Sequence, residues 1–294
     1  MRVPTLKKID SGINDALFEV LIVNDSHFYP LWHYHPEYEI MFLQEGRGNY
    51  YVGDCINTIS EGQIFFLGPN IPHLFRNYPE YFIAESRNRV KATVLYINEE
   101  FMKNNLFEMS EFAHIRELLI NSRRGLVIKE EFARPVVYLL KRVIKMSGVE
   151  RILEFISILQ IIATKIDYEP LSSLGYISNI NANEVARLNR VFDYLLKNFS
   201  KTITLKDIAD IANMSPTTFC RYFKRITNKT LISFLNEIRI GYASKLLIED
   251  KNKNISQICY ECGFHNLTNF YIQFQKIKKT SPMEFKNSFD FQEK

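Results

Sequence analysis

The sequence predicts an α+β multidomain protein: an N-terminal antiparallel β-barrel, a helical connector and a C-terminal all-α domain built on two helix-turn-helix units. Three observations carry that reading. Up to about residue 98, short runs rich in Val, Ile, Phe and Tyr alternate with Gly, Asn, Asp and Pro. Beyond it, apolar residues recur three and four apart, and the last third repeats one aromatic spacing twice. The first texture belongs to strands and the second to amphipathic helices.

The strand-like runs are residues 40–43, 49–52, 63–67 and 92–97, divided by the turn signals Glu45-Gly46, Gly53-Asp54 and Glu61-Gly62. Turns at such close spacing favour an antiparallel sandwich or barrel over residues 1–98. Residues 99–167 read as the helical connector, with helices over 129–146 and 149–167 broken at Gly148. The second helix is apolar on two faces: Val149, Ile152, Leu153, Ile156 and Leu159 on one, Phe155, Ile158 and Ile162 on the other. It therefore has two surfaces to cover. Either one meets the barrel and the other a second copy in a homodimer, or both are covered within the chain. Residues 168–183, with Pro170, Ser172, Ser173, Gly175 and several Asn, read as a linker to a helical domain over residues 184–294.

Composition narrows the function classes. With 294 residues and 46% hydrophobic content, the chain can fill two or three domain cores. No basic-headed apolar leader is present, and no apolar run approaches the roughly 18 residues of a membrane span, so no membrane partner is expected. Cys55, Cys220, Cys259 and Cys262 form no disulfide framework, which fits a reducing cytoplasm. The net charge of +4 is unevenly spread: residues 184–294 hold 18 of the 37 Lys+Arg but only 11 of the 33 Asp+Glu. A basic end beside an acidic remainder points to a polyanion partner. No Gly-rich phosphate loop and no nucleophile–base pattern is present, so neither of those enzyme classes is supported.

The repeat lies in this basic region. Thr204 is placed to cap a helix carrying Ile208, Ala209 and Ala212; Asn213-Met214 turns the chain; Ser215 and Pro216 open a second helix that buries Phe219, Phe223 and Ile226. The second copy runs from Asn254 through Ile255, Ile258, Cys259 and Cys262, turns at Gly263-Phe264, and continues from Asn266 through Phe270, Phe274 and Ile277. Phe219-x3-Phe223-x6-Thr230-x3-Phe234 is matched by Phe270-x3-Phe274-x6-Ser281-x3-Phe285. Each unit presents a second helix whose outer face can enter a major groove. Residues 231–248 read as one helix between them, long enough to set the two recognition helices nearly one DNA turn, roughly 34 Å, apart. Cys259-x-x-Cys262 has no second pair at zinc spacing and falls on an inward face, so it reads as structural.

These stretches, residues 204–224 and 255–286, resemble the AraC/XylS transcription regulators, and the resemblance extends over residues 184–289. It implies binding to double-stranded DNA and control of transcription. Two departures stand out: the glycine usual after each recognition helix is Asn228 and Lys279, and the basic residue frequent on the second recognition helix is Ile272. With the phenylalanines inward, the residues expected to face DNA are Thr217, Cys220, Arg221 and Lys224 in the first unit and Thr268, Tyr271 and Gln275 in the second. Arg221 is the candidate for a bidentate guanine contact.

In the N-terminal region, His33-x-His35-x3-Glu39-x6-Gly46 is followed by Gly62, Pro69, His73 and Asn77. These motifs resemble those of cupins, double-sheet barrels in which such residues bind a metal; His27 stands where the first motif's leading glycine would be. On a strand, positions two and six apart share a face, so His33, His35 and Glu39 are expected to converge, with His73 joining them. The set is read as an effector-binding site or a divalent-metal site for Zn, Ni, Mn or Fe. No cofactor other than such a metal is expected. Trp32, Tyr34, Tyr38, Phe42, Phe65 and Phe66 are expected to make the interior aromatic, suited to a small molecule; a carbohydrate is favoured over a phenolic ligand or a purely structural filling. The reading is therefore an effector-responsive, cupin-like sensor joined to a DNA-binding domain, with a metal-dependent cupin enzyme fused to that domain as the alternative.

Overall fold

The computed structural model describes residues 17–82, 86–103, 105–174, 176, 182–250 and 252–290, which fall into two compact units, Met1–Ala182 and Asn183–Lys294. In the first, nine strands pair antiparallel among the described residues: β1 (Phe18–Asp25), β2 (Tyr38–Glu45), β3 (Gly48–Val52), β4 (Cys55–Ile59), β5 (Ile64–Leu67), β6 (His73–Asn77), β7 (Val90–Ile97), β8 (Leu126–Ile128) and β9 (Glu169–Pro170). They form a six-stranded sheet in the order β1-β7-β2-β5-β8-β9 and a three-stranded sheet in the order β4-β3-β6.

Period-two alternation sorts β2 between two environments. Tyr38, Ile40 and Phe42 pack against helices on the outer face of the large sheet, whereas Glu39 and Met41 line an interior cavity. The short α1 (Glu99–Met102) precedes the covering helices α2 (Ala113–Ser122), α3 (Glu130–Val143) and α4 (Gly148–Lys165). Phe155, Ile158, Leu159 and Ile162 of α4 are fully buried in the shared core, and Phe155 stacks on Phe18 with ring centroids 4.8 Å apart. Leu159, grouped by sequence with Val149 and Leu153, is thus buried with Phe155 instead. Val149 and Leu153 stay exposed at 70% and 59%.

The sheet does not end at residue 98. β8 pairs with β5 and β9 with β8, so chain assigned to the connector and linker contributes strands. Three residues, Leu-Val-Ile, are too few to display an alternation, which is why the run was unreadable as a strand. Gly125 brings the chain into place at φ +64°, where a Cβ would stand 2.6 Å from Val52 Cγ1. Part of the linker is also fastened down. Leu171 and Ser172 donate backbone hydrogen bonds to Gly125 and Arg124, and Asp54 accepts from the Ser173 amide at 2.9 Å and hydroxyl at 2.7 Å. Residues 175 and 177–181 of the linker, like residues 1–16 of the barrel region, lie outside the described residues.

The second unit comprises α5 (Ala182–Asn198), α6 (Leu205–Ile211), α7 (Pro216–Thr227), α8 (Leu231–Glu249), α9 (Ile255–Glu261), α10 (Leu267–Lys278) and α11 (Pro282–Asp290). Both copies of the repeat start identically in physical terms. Thr204 with Asp207, and Asn254 with Gln257, form reciprocal capping boxes. Ser215 and Asn266 then accept the amides of Thr218 and Asn269 to open α7 and α10. Ala209 and Cys259, small residues of α6 and α9, are both fully buried. Asn228 and Lys279, standing where glycine is usual, both adopt the left-handed conformation, at φ 54° and 61°. Among the described residues, no helix is long and apolar enough to cross a membrane.

Candidate functional site

In the second unit, Phe219, Phe223, Phe270 and Phe274 are no more than 1% exposed, and their burial fixes what α7 and α10 turn outward. Thr217, Cys220, Arg221 and Lys224 are exposed on α7, and Thr268, Tyr271 and Gln275 on α10. Arg225 is also exposed on α7 but pairs with Glu184 of α5. Ile272 on α10 is 57% exposed. Burial pushes the Cys259 and Cys262 thiols up, away from the thiolate form that zinc or redox chemistry needs.

In the first unit, the four residues singled out by sequence do come together. His33, His35, Glu39 and His73 are all at least 94% buried: their exposures are 6%, 2%, 3% and 1%. Strand alternation is not what assembles them. His33 sits in an isolated antiparallel bridge with His73, and the segment between His33 and β2 belongs to no strand. The reciprocal bonds between the His33 and His73 backbones, 3.0 and 2.8 Å, pin the segment to the start of β6. Glu39 then arrives from β2.

The ring orientations are set by the backbone. Nδ1 of His33, His35 and His73 donates to the carbonyls of Leu31, Glu37 and Ile71 at 2.8, 3.1 and 2.9 Å. Each Nε2 is left for the centre, and one ring nitrogen of each histidine lies within 4.8 Å of the others. His35 Nε2 lies 3.0 Å from Glu39 Oε2 and His73 Nε2 3.5 Å; the longer contact leaves His73 Nε2 buried without a hydrogen-bond partner. Burial would raise the Glu39 carboxyl, but the hydrogen bond from His35 and the facing ring of His73 outweigh it and hold it well below the usual carboxylate range. Burial, then the neighbouring His73 and His35, lowers His33 well below the usual imidazole range, so its ring is neutral.

His33, Glu39 and His73 form one wall of a cavity of about 460 Å³, which also meets Asn24, Asp25 and His27. Its aromatic lining is Phe28, Tyr29, Phe75 and Tyr96. The six aromatics expected there do not line it: Tyr38, Phe42 and Phe66 face the helices, Phe65 packs on Tyr50 and Phe75, Trp32 is buried and Tyr34 is half-buried outside the lining. For Tyr38, Phe42 and Phe66 the correction is one of parity, since moving one residue along a strand changes the face. Tyr96, missed by sequence, sits edge-on to His35 at 5.4 Å; its place on the alternating run 92–97 was the available signal. Asn77 ties loops instead, accepting from Phe28 N and donating to Arg47 O.

Comparison with known proteins matches residues 18–128 to the AraC-like ligand binding domain model and residues 208–288 to a helix-turn-helix domain model. The HTH-type transcriptional regulator YdeC of Bacillus subtilis is 31% identical over 100 residues, which span 34% of this chain and 34% of YdeC. The HTH-type transcriptional activator RhaS of an Enterobacter species is 23% identical over 88% of both chains. Among solved structures, ToxT of Vibrio cholerae aligns over 92% of this chain and 98% of its own, at 15% identity and a TM-score of 0.35.

Proposed function

We propose, from the premise that the chain belongs to the AraC family of DNA-binding transcription regulators, that a small polar effector fills the barrel cavity and changes the affinity for DNA. One observation carries this reading: a cavity of about 460 Å³, large enough for a small molecule, is walled by the buried polar side chains of His33, Glu39 and His73. Buried polar groups discriminate sharply, because a ligand that fails to pair them leaves them unsatisfied. Tyr29 and Phe75 offer aromatic faces, and Asn24, Asp25, His33 and Glu39 offer hydrogen bonds. That combination favours a carbohydrate. Exposed Val149 and Leu153 on α4 support a homodimer as part of the same reading.

The donor set also favours a second reading, in which a divalent metal belongs to the effector site. Three imidazoles held through Nδ1 by backbone carbonyls turn their Nε2 atoms inward, and a metal would bind there in place of the proton that His35 shares with Glu39. His33, His35, His73 and Glu39 would hold the ion. It would supply a Lewis-acid contact to a hydroxyl or carboxylate of the effector.

The test is thermal unfolding of the full chain against monosaccharides and, separately, Zn²⁺, Ni²⁺ and Mn²⁺. An occupant at a hundred times its Kd raises stability by about 2.7 kcal/mol, and His73→Ala should erase that gain. A compound that is consumed, with DNA affinity unchanged, would make the barrel an enzyme and defeat the sensor reading.

A further inference from the structure

The two helix-turn-helix units are equivalent in their cores and different on their faces. Aligning Phe219 with Phe270 and Phe223 with Phe274 places Thr217 opposite Thr268, Arg221 opposite Ile272 and Lys224 opposite Gln275. All six side chains are exposed. On each helix these positions fall at i, i+4 and i+7, one outward stripe opposite the buried phenylalanines. The first unit therefore offers cations at two positions where the second offers a branched hydrocarbon and an amide.

We infer that the second recognition helix, α10, reads A·T base pairs, with Ile272 against thymine methyl groups and Gln275 on adenine, while α7 reads guanine through Arg221. The inference rests on the DNA-binding assignment and adds the base chemistry of each half of the site. In the major groove, thymine alone carries a 5-methyl group. Adenine presents an acceptor and a donor side by side, which a carboxamide matches in bidentate fashion; guanine presents two acceptors, which suit a guanidinium.

Ile272 cannot pair with any base edge by hydrogen bonding, and its 57% exposure means its hydrocarbon is available to a partner. Tyr271 beside it, 39% exposed, extends the apolar strip. The cations nearest this stripe, Lys276 and Lys279, lie toward the far end of α10. There they serve phosphates, whose contacts position the helix without selecting sequence. α8 has 19 residues, about 28 Å at 1.5 Å per residue. The two boxes are thus expected about one DNA turn apart, roughly 10 base pairs.

The test begins with selection of duplexes from a random library by the full chain, followed by replacement of thymine with deoxyuridine, which removes only the methyl group. The expected selection is a guanine-containing box and an A·T box about one turn away. Deoxyuridine in the A·T box should weaken binding about three- to fourfold per methyl contact, and the same replacement elsewhere should leave it unchanged. Ile272→Ala should lose that sensitivity while still requiring the guanine box, which reports that the domain is folded. Ile272→Arg should move the selected base toward guanine. A second box rich in G·C, no second box, or indifference to deoxyuridine in the wild-type chain overturns the inference and leaves DNA binding through α7 intact. If no sequence is enriched at all, the DNA-binding assignment fails with it.

Discussion

The barrel and the recognition helices build selectivity in opposite ways. In the barrel, His33, His35, Glu39 and His73 are buried to within a few per cent, and their orientations are fixed by backbone carbonyls and by one another. On α7 and α10 the residues proposed to read DNA are solvated, and the phenylalanines behind them are buried. An enclosed polar site ties ligand recognition to folding, since a charge or lone pair left unmatched there costs stability directly. A solvated face does not. Its residues are free to differ between copies, as Arg221 and Ile272 do, while the cores stay equivalent.

That contrast makes its largest prediction at Glu39. Glu39→Ala removes the carboxylate that two buried imidazoles face. It should cost about 3 kcal/mol or more, the usual result of breaking a buried charged pair from one side. Denaturant unfolding of the full chain reads this. If the midpoint barely moves, the cluster is not the tightly coupled group that its burial implies.

Arg221→Ala should do the reverse. It should leave the unfolding transition in place and lower affinity for a selected duplex by about 1–3 kcal/mol, with relaxed preference at one base pair. An equal loss on selected and random duplexes would reassign Arg221 to phosphate contact.

The smallest effect concerns the helix ends. Lys279 holds a left-handed conformation at φ 61° that costs a residue with a Cβ about 1 kcal/mol. Lys279→Gly should therefore raise stability by up to about that amount, and Asn228→Gly by less, because Asn tolerates the same region more readily. Thermal unfolding of the two variants ranks them. The opposite order would mean that Lys279's side chain stabilises the folded domain enough to outweigh the strain.

The two regions also differed in how much of them could be read from sequence. The recognition units were legible because a helix's core positions repeat at fixed spacing. Four phenylalanines and four capping residues, Thr204, Ser215, Asn254 and Asn266, were enough to place the helices and their outward residues. In the barrel, the identity of the four converging residues was legible, but how they converge was not. His33 reaches the cluster through a bridge to His73, a pairing between residues forty positions apart, which no local periodicity records. The cavity's aromatic lining was misread for a related reason: a strand's inward face depends on parity, and Tyr38 and Phe42 fall on the wrong one. β8 and β9 were hidden by brevity, since two or three residues carry no pattern.

On the proposed function, the barrel's ligand and the DNA bound by the helices act on one equilibrium. The most direct measurement is calorimetric titration of the sugar or metal that stabilises the full chain, carried out with the chain free and with it saturated by its selected duplex. Linkage requires that DNA change the ligand's affinity by the same factor by which the ligand changes DNA affinity, typically 5- to 150-fold. Matching factors away from unity are the predicted result. Identical ligand affinities with and without DNA, and identical DNA affinities with and without ligand, would contradict the claim.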